Sequence, residues 1–218
     1  MWYNYTGDFM RLRNVKGAKE KIETSKYIIN DYLNYKGNFN KVFNNNNPIC
    51  IEIGTGKGTF IKNMALKYPD VNFIGIEKFD SVIVRALEKV ENEEIHNLRY
   101  IRMDATEIED VFDKEIDTIY LNFSDPWPKA RHEDRRLTSE RFLKRYDNIF
   151  KTNKHIIFKT DNRHLFEYSI ISFTNYDYKI LDICLDLYSE DISDNVSTEY
   201  EEKFHKQGMP IYKIEVNK

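Results

Sequence analysis

From residue 48 onward, short runs of apolar residues alternate with segments whose apolar residues recur at helical spacing. The runs predict five buried strands, at 49–53, 71–76, 98–103, 116–121 and 155–159. The intervening and following segments predict helices at 59–68, 80–90, 107–112, 138–150 and 163–173. Strands without a polar face that alternate with helices indicate a parallel sheet covered on both faces. Two further runs, 178–187 and 210–216, predict a sixth and a seventh strand, which we expect to pair antiparallel at the sheet edge.

The first 47 residues differ from the rest of the chain. They are basic and rich in tyrosine, they predict a partly helical segment at 17–35, and they end in four consecutive asparagines that indicate a loop. We therefore interpret 1–47 as a basic, partly helical N-terminal extension and 48–218 as a single α/β domain. A length of 218 residues, 41% of them hydrophobic, fits that organisation.

Composition narrows the class of protein. No apolar run approaches the roughly 18 residues that a membrane helix needs, and residues 1–13 lack the apolar stretch of a secretory signal. Cys50 and Cys184 lie in apolar runs, so we expect buried free thiols in a reducing, cytoplasmic compartment. Two cysteines and five scattered histidines form no metal-site pattern. We therefore expect neither a metal nor a membrane partner.

Charge is distributed unevenly along a chain whose net charge is −3. Segment 1–45 carries a net charge of +4 and segment 126–163 carries +6, whereas 182–202 contains eight Asp and Glu and no Lys or Arg. Basic segments of this kind are compatible with nucleic-acid binding and equally with solvated helix faces. Charge alone leaves both interpretations open.

The first predicted strand ends in an acid followed by three closely spaced glycines, Gly54, Gly56 and Gly58. The dinucleotide fingerprint would need a glycine where Thr59 stands, and the phosphate-binding P-loop would need one at Ile51. The preceding Glu52 lies within a buried strand, where a carboxylate is costly unless it is paired or hydrogen-bonded. A cationic ligand in the glycine loop would provide that pair, although a hydrogen-bonded Glu beside an ordinary turn is the alternative.

Acids also follow the second and third predicted strands. Glu77 stands where an acid typically binds the hydroxyls of a ribose. Asp104 with Glu107 resembles a capping box, and Asp104 with Ala105 is also placed to face an adenine; both interpretations can hold together. Three acids at the ends of adjacent strands suggest a nucleoside ligand that carries positive charge. S-adenosylmethionine fits this description, and the combination is typical of a class I methyltransferase.

The loop after the fourth strand, 122–132, contains two prolines that stiffen it. It would direct Asn122, Asp125 and Trp127 towards the reactive methyl group, although Trp127 is also a candidate core residue. The segment that follows is too polar for packing. This loop therefore predicts a rigid, charged rim beside the ligand.

The sequence from Asp125 to His132, with Arg135-Arg136-Leu137 after it, closely resembles the signature of the bacterial tRNA (guanine-N7)-methyltransferases, the TrmB family. Other matching pieces occur in the same order: the glycine loop, Gly75-Ile76-Glu77, Asp104-Ala105, Lys159-Thr160-Asp161 and Thr198-Glu199-Tyr200-Glu201. The resemblance extends from about residue 45 to the C-terminus. Segment 11–19 also resembles the basic N-terminal arm of this family.

This resemblance implies a Rossmann-like, S-adenosylmethionine-dependent enzyme that methylates N7 of a guanine in the variable loop of tRNA. It implies that Asp125 is the catalytic residue. The implied cofactor-binding residues are Glu52, Gly54, Gly56, Gly58, Glu77, Asp104, Ala105 and Asp125. The implied substrate-binding residues are Lys129, Asp161, Thr198, Glu199, Tyr200 and Glu201. The implied RNA contacts are Arg131, His132, Glu133, Asp134, Arg135 and Arg136.

Some of these residues have simpler interpretations. Asp161 is placed to cap the helix after it, and Thr198 with Glu201 matches the sequence pattern of a capping box. Glu133 and Asp134 dilute the charge of the RNA loop, and the acidic stretch from Asp186 to Asn195 should face away from phosphates.

Two other functions are considered. An amino-methyltransferase acting on adenine or cytosine would carry an Asn/Asp-Pro-Pro-aromatic loop after strand four, to which 122–127 is only distantly similar. A non-catalytic RNA-binding module would not need the intact acids Glu52, Glu77 and Asp104. The oligomeric state, monomer or homodimer, is left open.

Overall fold

The computed structural model describes residue 15, residues 17–190 and residues 193–218. Within them lie seven strands, β1 Ile49–Ile53, β2 Asn72–Glu77, β3 Leu98–Arg102, β4 Ile116–Asn122, β5 Phe150–Thr160, β6 Lys179–Cys184 and β7 Tyr212–Asn217. The α-helices are α1 Ala18–Thr24, α2 Asn40–Phe43, α3 Thr59–Lys67, α4 Asp80–Val90, α5 Ile108–Val111, α6 Glu140–Ile149, α7 Arg163–Asn175 and α8 Glu199–Lys206. Short 3-10 turns occupy Tyr32–Tyr35, Ala105–Glu107, Ala130–Arg135 and Leu187–Ser189.

The strands form one seven-stranded sheet in the order β3-β2-β1-β4-β5-β7-β6. β1 to β5 pair in parallel, and β7 pairs antiparallel with both β5 and β6. The predicted α/β fold with an antiparallel edge is therefore confirmed. Strand order reverses between β1 and β4, and in open sheets of this kind ligands bind beyond the carboxyl ends of the strands at such a reversal.

Helices cover both faces, because alternate residues of each central strand point to opposite sides. Ile51 packs with α5, α6 and α7, while its neighbour Cys50 packs with α3 and α4. Both cysteines are free and buried, as predicted, and burial raises the pKa of Cys50 to about 12. Two apolar layers thus fix the sheet and leave its carboxyl edge for ligands.

One predicted boundary is wrong, and one predicted segment is helical only in parts. β5 begins at Phe150 rather than at 155, because Phe150 pairs with Ile116 of β4 before a register shift, although residues 151–153 are polar and exposed. The segment 17–35, predicted to be partly helical, contains α1 and the 3-10 turn Tyr32–Tyr35. After α1, Tyr27 accepts a hydrogen bond from the Tyr100 amide at 2.7 Å, and the Ile29 amide donates to the Tyr100 carbonyl at 2.9 Å. The outer edge of β3 therefore gains a short partner, which is incompatible with a helix there.

The N-terminal segment packs on the sheet from Ala18 onward, with α1 against α4. The four asparagines at 44–47 form a loop, as predicted. Residues 11–14 and 16 of the predicted basic arm lie outside the described residues, and the boundary at residue 47 stays a prediction. In the described part of the chain, no helix is long and apolar enough to cross a membrane, and no group of three metal-ligating side chains occurs.

Candidate active site

The glycine loop turns tightly at the carboxyl end of β1. Gly54, Gly56 and Gly58 all have positive φ, between 59° and 78°. A Cβ on Gly58 would lie 2.6 Å from the Cβ of Ala86 and 2.8 Å from the Tyr100 hydroxyl, so α4 needs glycine there to pack closely. A Cβ on Gly56 would meet no atom within 4 Å. The backbone at Gly56 therefore borders open space.

Glu52 is buried in β1, and no Lys, Arg or His among the described residues pairs directly with its carboxylate. Its Oε2 accepts a hydrogen bond from the Thr55 hydroxyl at 2.5 Å, and its Oε1 accepts one from Asn122 Nδ2 at 2.8 Å. Burial raises the pKa of Glu52 to about 7, despite these bonds and the charge of Lys159. Asn122 Oδ1 is itself buried without a partner. Glu52 is thus a buried acid whose ionised form stays disfavoured despite its hydrogen bonds, and its role towards a cationic ligand remains a prediction.

Glu77 closes the other side of the glycine loop. Its Oε2 accepts from the Gly56 amide at 3.1 Å, and its Oε1 accepts from the amides of Lys78 and Phe79. Burial raises the pKa of Glu77 against these bonds, and the negative charge of Asp125 adds to the shift. Asp125 follows β4, which pairs with β1, so the β4 loop lies at the same carboxyl edge of the sheet as Glu77.

Asp125 is exposed at the rim of this edge, although the protein around it raises its pKa by partial desolvation.

The pKa of Asp104 is lowered instead. Asp104 caps the turn that begins at Ala105, accepting from the Thr106 amide at 2.9 Å, and it also accepts from Lys78 Nζ at 2.5 Å. Burial opposes ionisation there, but these bonds lower the pKa of Asp104 to about 2. The predicted cap is confirmed, and the edge carries carboxylates with different affinities for protons.

The proline loop is held in an unusual backbone conformation. Phe123 and Trp127 have positive φ, 51° and 41°, which residues with a Cβ rarely adopt. Arg136 donates to the carbonyls of Pro126 and Trp127 at 3.0 Å each, and its guanidinium lies 4.2 Å from the Tyr168 ring centroid. Arg136, predicted as an RNA contact, therefore braces the loop that carries Asp125.

Other predicted RNA contacts face solvent. Lys129, Arg131, Glu133 and Arg135 are exposed, and Asp134 pairs with Arg141 at 3.2 Å. Trp127 is half-buried rather than a core residue. The Arg135 guanidinium lies 5.1 Å from its ring centroid, and His132 meets it edge-on at 5.8 Å. The loop thus presents a cationic, partly aromatic surface.

A buried ion pair closes the site near β5. Lys159 Nζ lies 3.0 Å from Glu201 Oε2, and Glu201 Oε1 also accepts from Asn195 at 2.5 Å and Tyr188 at 3.3 Å. Thr198 caps α8 by accepting from the Glu201 amide at 2.9 Å, so the predicted cap is confirmed. These bonds turn the Glu201 side chain inward, away from a free substrate-binding position.

Asp161 does not cap the next helix. Asn162 is the cap of α7 and accepts from the Leu165 amide at 2.9 Å, so the capping interpretation of Asp161 is wrong by one residue. Asp161 is half-buried; burial raises its pKa, while Lys203 lowers it. Its carboxylate thus lies in the partly desolvated region between β5 and α8. That position is compatible with the predicted substrate contact.

The remaining residues of the Thr198–Glu201 segment point in different directions. Glu199 pairs with Lys57 at 3.1 Å and with Lys89, and it accepts from the Thr59 hydroxyl at 2.9 Å. Burial favours the protonated form of Glu199, but its hydrogen bonds to Lys89, Thr59 and Lys57 outweigh this effect and lower its pKa to about 2. Tyr200 is 57% exposed and stacks near Phe123 at a centroid distance of 6.4 Å. Tyr200 is thus the most accessible side chain of this segment.

The acidic segment 182–202 forms ion pairs that its sequence did not predict. Its carboxylates pair with lysines of distant elements: Asp182 with Lys213, Asp194 with Lys67, Glu199 with Lys57 and Lys89, and Glu201 with Lys159. Sequence reasoning missed these lysines. The available signal was Lys159 itself, a cation directly after the apolar residues 156–158 of a predicted buried strand. Four of the eight carboxylates in this segment are therefore paired with lysines of the described chain.

Comparison with known proteins identifies the family. A methyltransferase family model, Methyltransf_4, matches residues 46–214. The tRNA (guanine-N(7)-)-methyltransferase of Bacillus licheniformis is 51% identical over 208 residues, covering 94% of this chain and 98% of that protein. The enzymes of the same name from Bacillus subtilis and Streptococcus pneumoniae are 49% and 47% identical, over 95% and 94% of this chain and 98% and 99% of theirs.

Solved structures with low sequence identity share the fold. An antibiotic-related methyltransferase superposes with a TM-score of 0.66 at 15% identity, covering 84% of this chain and 93% of that one. A SAM-dependent methyltransferase from Aquifex aeolicus superposes with a TM-score of 0.54 at 12% identity, covering 93% and 97%. These likenesses support the methyltransferase fold, and the close relatives specify more. This chain belongs to the tRNA (guanine-N(7)-)-methyltransferase family, the TrmB family.

Proposed function

We propose that this chain transfers a methyl group from S-adenosylmethionine to N7 of a guanine in the variable loop of tRNA. The observation that carries the proposal is the buried Glu52 beside the positive-φ glycine loop at the carboxyl edge of the sheet, the edge at which Asp125 follows β4. Membership of the family gives this cluster its reaction. We expect the chain to act in the cytoplasm, as a monomer or a homodimer.

The residues present fit S-adenosylmethionine. Glu52 has hydrogen bonds but, in the part of the chain that the structure describes, no direct cationic partner, and the space beside Gly56 is open. In this proposal Glu52 faces the positive charge of the cofactor, Glu77 binds the ribose hydroxyls, and Asp104 with Ala105 lines the adenine. When bound, this cofactor supplies a methyl group activated by its sulfonium.

Guanine N7 carries a free lone pair and no proton, so the acceptor needs no general base. The protein must instead place N7 in line and stabilise the positive charge that develops on the purine. Positioning of this kind contributes several kcal/mol to the reduction of the barrier. Asp125 is suited to both tasks, because its carboxylate accepts hydrogen bonds from the N–H groups of guanine and lies near the developing charge.

Substrate contacts divide into those that position RNA and those that bind the base. The exposed cations Lys129, Arg131 and Arg135 are suited to phosphates, whose contacts provide most of the salt-sensitive affinity. Asp161 and Tyr200 are suited to the base, which must leave its tertiary contacts at a cost of a few kcal/mol. Glu201 and Arg136 contribute by holding α8 and the proline loop in place.

The direct test is to incubate tRNA with the chain and labelled S-adenosylmethionine, digest the RNA and identify the methylated nucleoside. The expected product is N7-methylguanosine. A methyl group on an exocyclic amine would instead support an amino-methyltransferase. A non-catalytic RNA-binding module with a degenerate pocket would give no heat when titrated with the cofactor.

A further inference from the structure

Glu199 connects the first turn of α8 to the cofactor side of the site. One carboxylate oxygen contacts Lys89 and the Thr59 hydroxyl, and the other lies 3.1 Å from Lys57 Nζ. Lys57 stands between two glycines of the loop, Thr59 begins α3, and Lys89 lies in the last turn of α4. A single side chain therefore joins α8 to three elements that surround the proposed cofactor.

This arrangement differs from a substrate-binding role. A carboxylate that binds a base must offer hydrogen-bond acceptors to it, whereas both oxygens of Glu199 already contact ammonium groups. Tyr200, the next residue, projects into solvent instead. The two residues thus serve different sides of α8.

The glycine loop has a particular need for such a restraint. Three positive-φ glycines make its backbone conformationally permissive, and ordering a permissive segment on binding costs entropy. Lys57 has no other ion-pair partner among the described residues, so its contact with Glu199 is the bond that links this loop to α8. The Lys159–Glu201 pair fixes α8 independently to β5, which makes the helix a firm anchor.

We propose that Glu199 is a positioning residue that holds the glycine loop in its cofactor-binding shape by tying Lys57 to α8. The proposal rests on the proposed function only in taking this loop as the cofactor site. It assigns Glu199 to the cofactor half of the site, in place of the substrate contact expected from the resemblance. Cofactor affinity then depends on a residue in the substrate-binding segment, even when no tRNA is present.

The test compares Glu199→Gln with Glu202→Gln, a matched control in the same helical turn. Glu202 is exposed and accepts a hydrogen bond from Ser197 at 2.9 Å. Calorimetry without tRNA should show the dissociation constant of S-adenosylhomocysteine rising about three- to tenfold for Glu199→Gln, the scale of a partly exposed charge network. The control should bind like the wild type. Affinity for tRNA without cofactor should change less than twofold in both.

Lys57 variants identify the contact that matters. Lys57→Met should reproduce the loss of cofactor affinity, and the double variant should lose no more than the larger single effect, because both changes remove one interaction. Lys57→Arg should restore most of the affinity by keeping the ion pair. Urea unfolding of every variant shows whether a loss of affinity reflects a loss of folded protein.

Two outcomes would overturn the proposal. One is an unchanged cofactor dissociation constant for Glu199→Gln with a raised KM for tRNA, which would make Glu199 a substrate ligand. The other is full additivity of the Lys57 and Glu199 changes. Neither result depends on which nucleoside is methylated, so failure of the proposed reaction would be seen separately in the product analysis.

Discussion

Lys159 and Glu201 form an ion pair sealed from solvent: their charged atoms are 3.0 Å apart, and the side chains are 5% and 0% exposed. One comes from the end of β5 and the other from α8, so the pair joins the sheet to the helix over the site. Such a pair is costly to create but more costly to break, because the remaining charge stays buried without compensation.

Lys159→Met should therefore reduce the free energy of unfolding by about 3–5 kcal/mol. Urea denaturation followed by circular dichroism measures it. The control is Lys144→Met, which removes an exposed pair with Glu140 at 2.7 Å and should cost no more than about 0.5 kcal/mol. Equal effects of the two substitutions would show that burial of the Lys159–Glu201 pair adds nothing to the free energy of unfolding.

Glu52 should make the cofactor-free protein less stable as the pH rises. Its pKa is about 7 in the folded chain, against a usual 4.5, so between these values the folded state holds a proton that the unfolded state has released. The free energy of unfolding then falls with rising pH in this window, by up to about 1.4 kcal/mol per pH unit. Glu52→Gln should lack this component, and the difference between the two unfolding curves isolates it from other carboxyls. Parallel curves from pH 5 to 7 would contradict the prediction.

Cofactor binding should change the ionisation of the same group. A cationic ligand favours the carboxylate, so binding at pH 7 should release about half a proton, measurable by calorimetry in buffers of different ionisation enthalpy. Glu52→Gln should release none and should bind about ten- to a hundredfold more weakly, the scale for losing one charge-assisted bond. Unchanged affinity would leave Glu52 with a structural role.

Asp125→Asn tests whether a carboxylate acts electrostatically without accepting a proton. We expect kcat to fall about 10²–10³-fold, the scale for one preorganised electrostatic contact, with a smaller change in tRNA binding. Single-turnover rates on pre-bound tRNA measure the step directly. A rate near that of the wild type would transfer the catalytic role to another residue, of which Asp161 is the candidate.

Two arginines of the same loop should behave differently. Arg136→Ala removes the brace on Pro126 and Trp127, so it should lower kcat while leaving the salt dependence of tRNA binding intact. Arg131→Ala should leave kcat on saturating tRNA nearly unchanged and reduce the slope of log K against log salt by about one. Binding isotherms at four salt concentrations distinguish the cases. A flattened slope for Arg136→Ala alone would reverse the assignments.

Sequence patterns predicted the sheet well because its central strands are buried on both faces and therefore nearly continuous in apolar residues. They did not locate the break at 25–31, where Tyr27 and Ile29 pair with Tyr100, a contact between residues more than 70 positions apart. They also missed the first half of β5, since residues 151–153 are polar and Phe150 alone among residues 150–154 pairs with β4, before a register shift.

The candidate site shows the same division. Residues that follow strands, such as Glu52, Glu77 and Asp104, could be identified from spacing, because topology brings strand ends together. The partners of Glu199 and Glu201 could not, since they depend on where α8 crosses the site. The sequence of the Thr198–Glu201 segment also fits the capping-box pattern. Only the fold shows that the Glu201 carboxylate pairs with Lys159 and the Glu199 carboxylate with Lys57.

The short segment around Ile28 also covers part of the outer edge of β3. A bare edge strand offers its backbone groups to any other chain, and proteins commonly cover or distort such edges. The backbone groups of Tyr27 and Ile29 form hydrogen bonds with those of Tyr100 at the β3 edge. At the opposite edge, the pairing of β6 contains a register shift, and the strand carries Lys179 and Asp182. A form shortened to begin after residue 30 would expose the β3 edge. Its soluble yield should fall through strand-to-strand aggregation before the catalytic residues are affected.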